Sequence, residues 1–584
     1  MLALLAAAAV AVAAIAQPPP AHPRTVVVTS AGPVRGRLHD GIVAFKGIPF
    51  AADPSGPRRW HPPQPPAPWS GTLDAVNFSS ACAQSGGGYG PSTGEQRDGS
   101  SEDCLYLNVY TKNPVQGHKT PVLFYIHGGS LIVGDGRTDF SSFMDHGCES
   151  GCVVVVIQYR LDMFGWLAHT ALTAEQGGAS GNYGLLDQQM ALGWVQREIG
   201  SFGGDKTKVT VAGQSSGGTS IIALLASPAS RGLFSRAISL SGSPNVTIDL
   251  ATAETQNAQI TAPSCAQISA LDQPTRFLAC MRNASTASLL QARPECWATP
   301  AMDVLPMSTA GWLKRGGQQL DLAEGQCGLP VVNGASIAKP ILTALREGMV
   351  DVPVMLGNVG WETGNAPKNV QGGSISAAGW ASYLNSSFAT LPGVHSTQEI
   401  AQLTSTLEGA FAADFAEAPL KAYKGLLSTF ALTCAATVLA KSAKGAVKAP
   451  FRSPFYAFLN LWSPAQTVWP TDCTIPRWAY HTWDLTVVLE GWQIGWPGAC
   501  DYKPTPSDLR HSRFLQTSWY EFMQTGRMDE SGWKSAEEAG AAWPRLSSTM
   551  VIQDPPVNVV GANATICAAL EKAMAPEQRF WWIN

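Results

Sequence analysis

The chain has 584 residues, of which 45 % are hydrophobic and 14 % charged, and its formal net charge is −4. That is enough apolar material for a large core, while the charge balance gives no electrostatic reason to expect nucleic acid or an anionic membrane as partner. Beyond the first sixteen residues no run is long and apolar enough for a transmembrane helix.

Residues 2–15 are almost wholly Ala, Leu and Val, and Ala14-Ile15-Ala16 precedes a proline-rich stretch that starts at Gln17. This is the pattern of a secretory signal peptide cleaved after Ala16, leaving 17–584 as the mature chain. The 12 cysteines, with no repeated C-x-x-C pair, suggest disulfides rather than zinc ligands. Sequons at Asn77, Asn245, Asn283, Asn385 and Asn563 fit a glycosylated surface. The tail carries neither an ER-retention nor a GPI-type signal. The mature protein is therefore expected to be soluble, secreted and extracellular.

Thr25 to Thr29 and Gly41 to Phe45 read as strands bounded by Gly and Pro, and 52–70, with seven prolines, as an irregular surface segment. Leu105 to Tyr110 and Val122 to Ile126 are strong strand signals, and Val153 to Ile157 is a continuous apolar run of the buried parallel-sheet kind. Gly184 to Ile199 has helical spacing at Leu185, Gln189, Leu192 and Val195. Val352 to Leu356 and Phe455 to Leu459 look like later sheet strands, and Leu515, Trp519, Phe522 and Met523 mark one face of a helix. Strand and helix alternate with no repeat or clean linker. That predicts an α/β fold: a large, mostly parallel central sheet flanked by helices, in a single domain with helical insertions.

Within this alternation, Val209 to Ala212 meets Gly213-Gln214-Ser215-Ser216-Gly217, and an apolar helix former, Ile221 to Leu225, follows. Strand, tight turn, helix is the context in which Gly-x-Ser-x-Gly lifts a serine hydroxyl out of a sheet. Gly90-Pro91-Ser92-Thr93-Gly94 also fits the pattern, but it lies in a glycine-rich loop without such flanks. A nucleophilic Ser215 needs a base and an orienting acid, which in an α/β-hydrolase follow in the order acid, histidine. Three histidines come later. His511 lies on the striped helix and His395 in a Pro-Gly loop, whereas His481 lies in the aromatic segment Trp478 to Asp484, between Cys473 and Cys500. His481 is the preferred base. The acid belongs in a loop just after a strand, which favours Glu362 over Glu347 and Asp351, both of which precede the strand. His127-Gly128-Gly129-Ser130, after the strand ending at Ile126, offers backbone N–H groups to an oxyanion, and Ser216 adds another. Trp361, Tyr480, Trp483, Trp492 and Trp496 are candidate pocket aromatics, although tryptophans at such spacings are more often core.

From about Val34 to about Leu570 the chain resembles the type-B carboxylesterases, which include cholinesterases and secreted fungal esterases and lipases. Glu102-Asp103-Cys104-Leu105-Tyr106-Leu107-Asn108-Val109 is similar to the family's second signature. Phe45 to Ala51, Asn182 to Gln188 and Phe202 to Asp205 are similar to further family blocks. The resemblance implies an α/β-hydrolase fold, Ser215 as acyl-forming nucleophile, Glu362 as charge-relay acid and His481 as base. It implies oxyanion donors at Gly129, Ser130 and Ser216, with Ser241 and the buried Asp484 supporting the triad from behind. It also implies the disulfides Cys82–Cys104, Cys265–Cys280 and Cys434–Cys567. Proximity in sequence alone suggests 148 with 152, 296 with 327 and 473 with 500. The chain departs from the family at Gln214-Ser215-Ser216 (usually Glu-Ser-Ala), at Ser130 (usually glycine), at His481-Thr482 (usually His-Gly) and at Asp484 (commonly Glu). None of these changes removes chemistry.

The expectation is a serine esterase working through an acyl-enzyme on small-molecule esters, with no metal or organic cofactor. The Cys82–Cys104 loop, where related lipases carry an amphipathic lid, has almost no apolar face here, which suggests soluble or short-to-medium-chain esters. The alternatives are a long-chain lipase or sterol esterase, and a silent adhesion-type member of the family.

Overall fold

Eleven strands build the central sheet of the computed structural model. It describes residues 24–569 apart from 87–95, 116, 149, 244–247, 295–296, 298–313, 316–317, 320–326, 349, 363–369, 371, 390–395, 437, 440–452, 464–477, 493–501, 529–547, 553–556 and 561–565. The stretch 1–16 expected as a leader, and His395, Trp496, Cys296, Cys473, Cys500, Asn245 and Asn563, thus lie outside the described residues. Numbering only this sheet, the strands are β1 (Arg37–His39), β2 (Ile42–Pro49), β3 (Tyr106–Thr111), β4 (Thr120–Ile126), β5 (Val153–Ile157) and β6 (Gly204–Gln214). They continue as β7 (Arg236–Leu240), β8 (Val354–Val359), β9 (Phe455–Asn460), β10 (Ser548–Ile552) and β11 (Val557–Val560). The order across the sheet is β11-β10-β9-β8-β7-β6-β4-β5-β3-β2-β1. Pairing is parallel from β10 through β5 and antiparallel toward both edges.

A parallel strand covered on both faces has no polar side, and β5 shows why its sequence is unbroken Val and Ile. Val153, Val155 and Ile157 enter one core, and Val154 and Val156 the other. On β4 the split is Val122, Phe124 and Ile126 against Leu123 and Tyr125. The first core is closed by α1 (Tyr183–Glu198) and α2 (Ser216–Ala226), through Leu185, Leu192, Val195 and the apolar run Ile221 to Leu225. Between β8 and β9 come α3 (Ala377–Phe388), α4 (Thr397–Ala410) and α5 (Pro419–Ser428), which add Leu384, Leu403, Leu407, Tyr423 and Leu426 to the same core. The second core is closed by α6 (Trp483–Leu489) and α7 (Pro506–Thr525). Leu515, Trp519, Phe522 and Met523 of α7 face it, as their spacing predicts. Proline at the first turn, a Thr505–Asp508 capping box and Gly526 in a left-handed C-cap fix both ends of α7.

Several strand bounds shift by one to four residues. The strand expected at Val352 to Leu356 begins at Val354, because Pro353 has no N–H to donate to a ladder. Among the described residues the disulfides are Cys82–Cys104, Cys148–Cys152, Cys265–Cys280 and Cys434–Cys567; Cys327 is also disulfide-bonded. No helix of the described residues is long and apolar enough to cross a membrane.

Candidate active site

The carboxyl ends of the parallel strands carry the candidate residues, where chains leaving β4, β6, β7 and β8 converge. Ser215 follows the last residue of β6 and precedes α2, at φ 61°, ψ −130°. This left-handed strain on a non-glycine residue is held by packing around it. Ser215 N donates to Leu240 O at 2.8 Å, tying the elbow to the end of β7. A Cβ on Gly213 would stand 2.4 Å from Gly217 O, and one on Gly217 would stand 2.2 Å from Ile126 O. Both positions are therefore closed to any side chain. The two glycines of the motif are required by backbone approach, which is the physical content of the sequence pattern.

The turn after β4 packs directly against this elbow. A Cβ on Gly128 would lie 2.6 Å from Gln214 O and 2.9 Å from Ser215 Cβ. Gly129, Ser130 and Leu131 all have positive φ (117°, 54° and 63°). Leu131 N donates to Ser216 Oγ at 3.0 Å, so the hydroxyl at this departure from the family pattern pins the turn to the elbow. Among the described residues the N–H groups of Gly129, Ser130 and Ser216 make no hydrogen bond, which leaves them available to an anion. Beneath the turn, His127 stacks on Tyr159 with ring centroids 4.6 Å apart, and Tyr159 Oη donates to His127 O at 2.8 Å. Burial holds the His127 imidazole below its ordinary pKa, so it stays neutral as a support.

Glu362 lies three residues past β8, buried, and its Oε2 accepts from His481 Nδ1. Its Oε1 accepts from Val359 N at 3.0 Å, and its own N–H donates to Ser428 Oγ at 2.7 Å. Trp361 N donates to Ala479 O at 3.1 Å, joining the loop of the acid to the segment of the histidine. With Nδ1–H committed to Glu362, Nε2 of His481 is the basic nitrogen. Gln214 Nε2 lies 3.2 Å from it. Thr482, where the family has glycine, is left-handed at φ 75° and starts α6. In the first turn of α6, Asp484 is buried: Oδ1 accepts from Leu485 N at 2.8 Å, and Oδ2 has no partner among the described residues. Burial first, then the charge of Glu362, pushes its carboxyl up to about 7. Ser241, just past β7 and also buried, donates its N–H to Gly357 O of β8 at 2.6 Å.

The fold thus joins His481 to Glu362, packs the elbow against the oxyanion turn, and sets Asp484 within the field of Glu362. The rival residues lie elsewhere. His511 is buried and stacked on Trp462 at 4.7 Å, Glu347 pairs with Lys339, and Asp351 accepts from Ser453 N. Of the candidate pocket aromatics, Trp483 is wholly buried in the second core beside Tyr480, Trp492 and Tyr502. Two contacts escaped the sequence reading. The Gln214 amide was visible only as an unusual residue in the elbow, and Ser428 carries no local signal at all. Among the described residues no cluster of His, Cys, Asp and Glu is arranged to hold a metal ion.

A family model described as "Carboxylesterase family" matches residues 23–577. The chain is 42% identical over 217 residues to the fumonisin B1 esterase of Sphingopyxis macrogoltabida, a stretch covering 37% of this chain and 39% of that protein. It is 41% identical over 217 residues to the para-nitrobenzyl esterase of Bacillus subtilis, covering 37% of this chain and 43% of that one. These alignments span about two fifths of each relative's length. A solved structure titled PNB esterase superposes with a TM-score of 0.66 at 25% identity, covering 94% of this chain and 100% of that one.

Proposed function

The chain belongs to the carboxylesterase family, and from that premise we propose that it is a secreted serine hydrolase of carboxylic esters with Ser215, His481 and Glu362 as its triad. The observation that carries this reading is the His481 Nδ1–H donated to Glu362, with Ser215 on a strained elbow at the same end of the sheet. Glu362 fixes the imidazole tautomer, so that Nε2 takes the Ser215 proton as Oγ attacks the ester carbonyl. The carbonyl oxygen becomes an oxyanion held by the N–H groups of Gly129, Ser130 and Ser216. Collapse returns the proton from Nε2 to the departing alcohol and leaves an ester on Ser215. A water molecule, deprotonated by the same nitrogen, then attacks the acyl-enzyme and releases the acid.

The leader pattern and the disulfides support an extracellular setting. A preference for soluble, short-to-medium-chain esters is supported by how the flanks of the Cys82–Cys104 loop are tied down. Gln84 Nε2 donates to Gly134 O at 2.8 Å and Gly134 N donates to Gln84 Oε1 at 3.1 Å. Arg97 reaches both Gln84 Oε1 and Asp135.

The test is hydrolysis of p-nitrophenyl esters from acetate to palmitate by wild type and Ser215→Ala. Turnover of short chains that is lost in the variant is expected. A palmitate preference would keep the triad and move the reading to a lipase; no turnover by folded wild type, with no fluorophosphonate labelling of Ser215, would refute it.

A further inference from the structure

Two tryptophans flank the acid and the base: Trp361 immediately precedes Glu362, and Trp478 lies three residues before His481. Their ring centroids are 6.4 Å apart, and the ammonium of Lys421, from α5, stands 4.8 Å from the first and 5.9 Å from the second. The lysine side chain is only 13 % exposed. Its Nζ also donates to Glu417 Oε2 at 2.6 Å and lies 3.3 Å from Asp414 Oδ1, both on the short helix Ala412–Glu417. Glu417 closes the ring of contacts, because its Oε1 accepts from Trp478 Nε1 at 2.8 Å. Lys421 first, then the indole, hold the Glu417 carboxyl below its ordinary pKa, so the acceptor stays charged.

The ion pair by itself contributes little, since the Glu417 side chain is 54 % exposed and water screens it. What distinguishes Lys421 is the pair of rings beside its charge, where a largely desolvated cation–π contact is worth more than one in open water. The backbone joins the same two segments through the Trp361 N to Ala479 O bond and an isolated bridge between Trp361 and Tyr480. Two helical turns beyond Lys421, α5 meets the acid loop again, where Ser428 Oγ accepts from Glu362 N. We propose that Lys421 is a positioning residue: its ammonium clamps the loop of Glu362 to the segment of His481, so that acid and base keep their register through the reaction. This inference rests on the acyl-transfer reading. Lys421 acts through Trp361 and Trp478 rather than on the reacting atoms.

The experiment compares wild type, Lys421→Met and Lys421→Arg by kcat and KM on p-nitrophenyl acetate. In parallel, proton NMR follows the low-field resonance of His481 Nδ1–H, assigned through its loss in His481→Asn. Methionine keeps the stem and removes the charge, whereas arginine restores a cation that stacks on aromatic faces. Misplacing a reacting group by about 1 Å costs about 100-fold, so the partial loosening in Lys421→Met is expected to lower kcat by about 10-fold, with KM within about twofold of wild type. The Nδ1–H resonance is expected to broaden in Lys421→Met, and Lys421→Arg to recover both readouts. A merely structural lysine would lower the unfolding midpoint and leave kcat and the resonance of the folded enzyme unchanged. That result, or a fall in kcat with an unchanged resonance, would overturn the proposal. If Lys421→Met does not fold, Glu417→Ala, an exposed change that removes the acceptor shared by Lys421 and Trp478, decides it on the same readouts. Should wild type show neither turnover nor fluorophosphonate labelling, the acyl-transfer reading falls, while the Nδ1–H resonance still decides whether Lys421 holds the acid to the base.

Discussion

Asp484 is a group whose charge the fold visibly resists. It is fully buried, its Oδ2 has no hydrogen-bond partner among the described residues, and the charge of Glu362 acts on it. Burial and the Glu362 charge push its carboxyl up to about 7 in the folded chain, against 3.8 for an exposed aspartate. The folded state therefore keeps a proton that the unfolded chain gives up. The stabilisation is fully present below the unfolded value and is lost as pH rises through the folded one, so stability falls between about pH 4 and about pH 7. That difference between the folded and unfolded carboxyl corresponds to about 4 kcal/mol. Asparagine cannot ionise, so Asp484→Asn escapes this loss. Any fixed cost of the amide cancels when the variant is compared with wild type at two pH values. At about 2.1 cal/mol/K per residue, a chain of this length unfolds with an entropy of about 1.2 kcal/mol/K, so the effect amounts to about 3 °C in Tm. Calorimetry of both proteins at pH 4 and pH 8, at one scan rate, reads it directly. The Tm of Asp484→Asn relative to wild type should be about 3 °C higher at pH 8 than at pH 4. A difference that does not change with pH would show that Asp484 is ionised and compensated, and the burial argument would fail.

Gly217→Ala sets a Cβ 2.2 Å from the backbone oxygen of Ile126, so the elbow must open. We expect the soluble yield to collapse, or fluorophosphonate labelling of Ser215 to fall by at least about 100-fold, as expected when a reacting group is misplaced by about 1 Å. Arg59→Met strands Glu102, which Arg59 meets through Nε at 2.8 Å and Nη2 at 2.6 Å, and strips a donor from the carbonyls of Met281, Arg282 and Ala284. Removing one partner of a buried pair costs about 3–5 kcal/mol, which urea denaturation will register as a lower midpoint. Thr482→Gly relieves a β-branched residue held at φ 75°. It should raise stability by about 1 kcal/mol in the same assay while leaving the His481–Glu362 pairing intact.

The sequence is most legible where one local rule decides the outcome. β5 matches its expected bounds because five consecutive buried β-branched residues between loops have no helical alternative. The face of α7 is likewise set by its own spacing. The elbow could be read because its glycines are demanded by backbone contacts within a few residues in sequence or across one strand. What could not be read is determined by distant chain. The segment from α3 to α5 has ordinary amphipathic sequences, and nothing local indicates that α5 brings Ser428 to Glu362 N, 66 residues away in sequence. Nor does any local pattern show that Lys421 lies 4.8 Å over the ring of Trp361, beside the acid. The same holds for Gln214. Its identity departs from the family pattern, but its bond partner is 267 residues away.

The departures from that pattern follow a physical division. Where a side chain would strike backbone, the glycine is kept: Gly213, Gly217, Gly128 and Gly129 would each drive a Cβ within 2.6 Å of a main-chain oxygen. The changes fall where a side chain has somewhere to go. Ser216 Oγ accepts from Leu131 N, Gln214 turns its amide to His481, and Ser130 is half-buried at the mouth of the turn. The forced positions set the backbone that the reaction needs, and drift there destroys the elbow. The permissive ones touch the base and the oxyanion turn, so drift there adjusts proton affinity and the room around the acyl group without dismantling the site. Differences in pH range and ester preference between this chain and its relatives should therefore map first to Gln214, Ser216 and Ser130. Exchanging these three residues for Glu, Ala and Gly should move the pH limb and the chain-length profile toward those of a relative that carries them. If the exchange shifts neither, selectivity resides in the walls farther from the nucleophile.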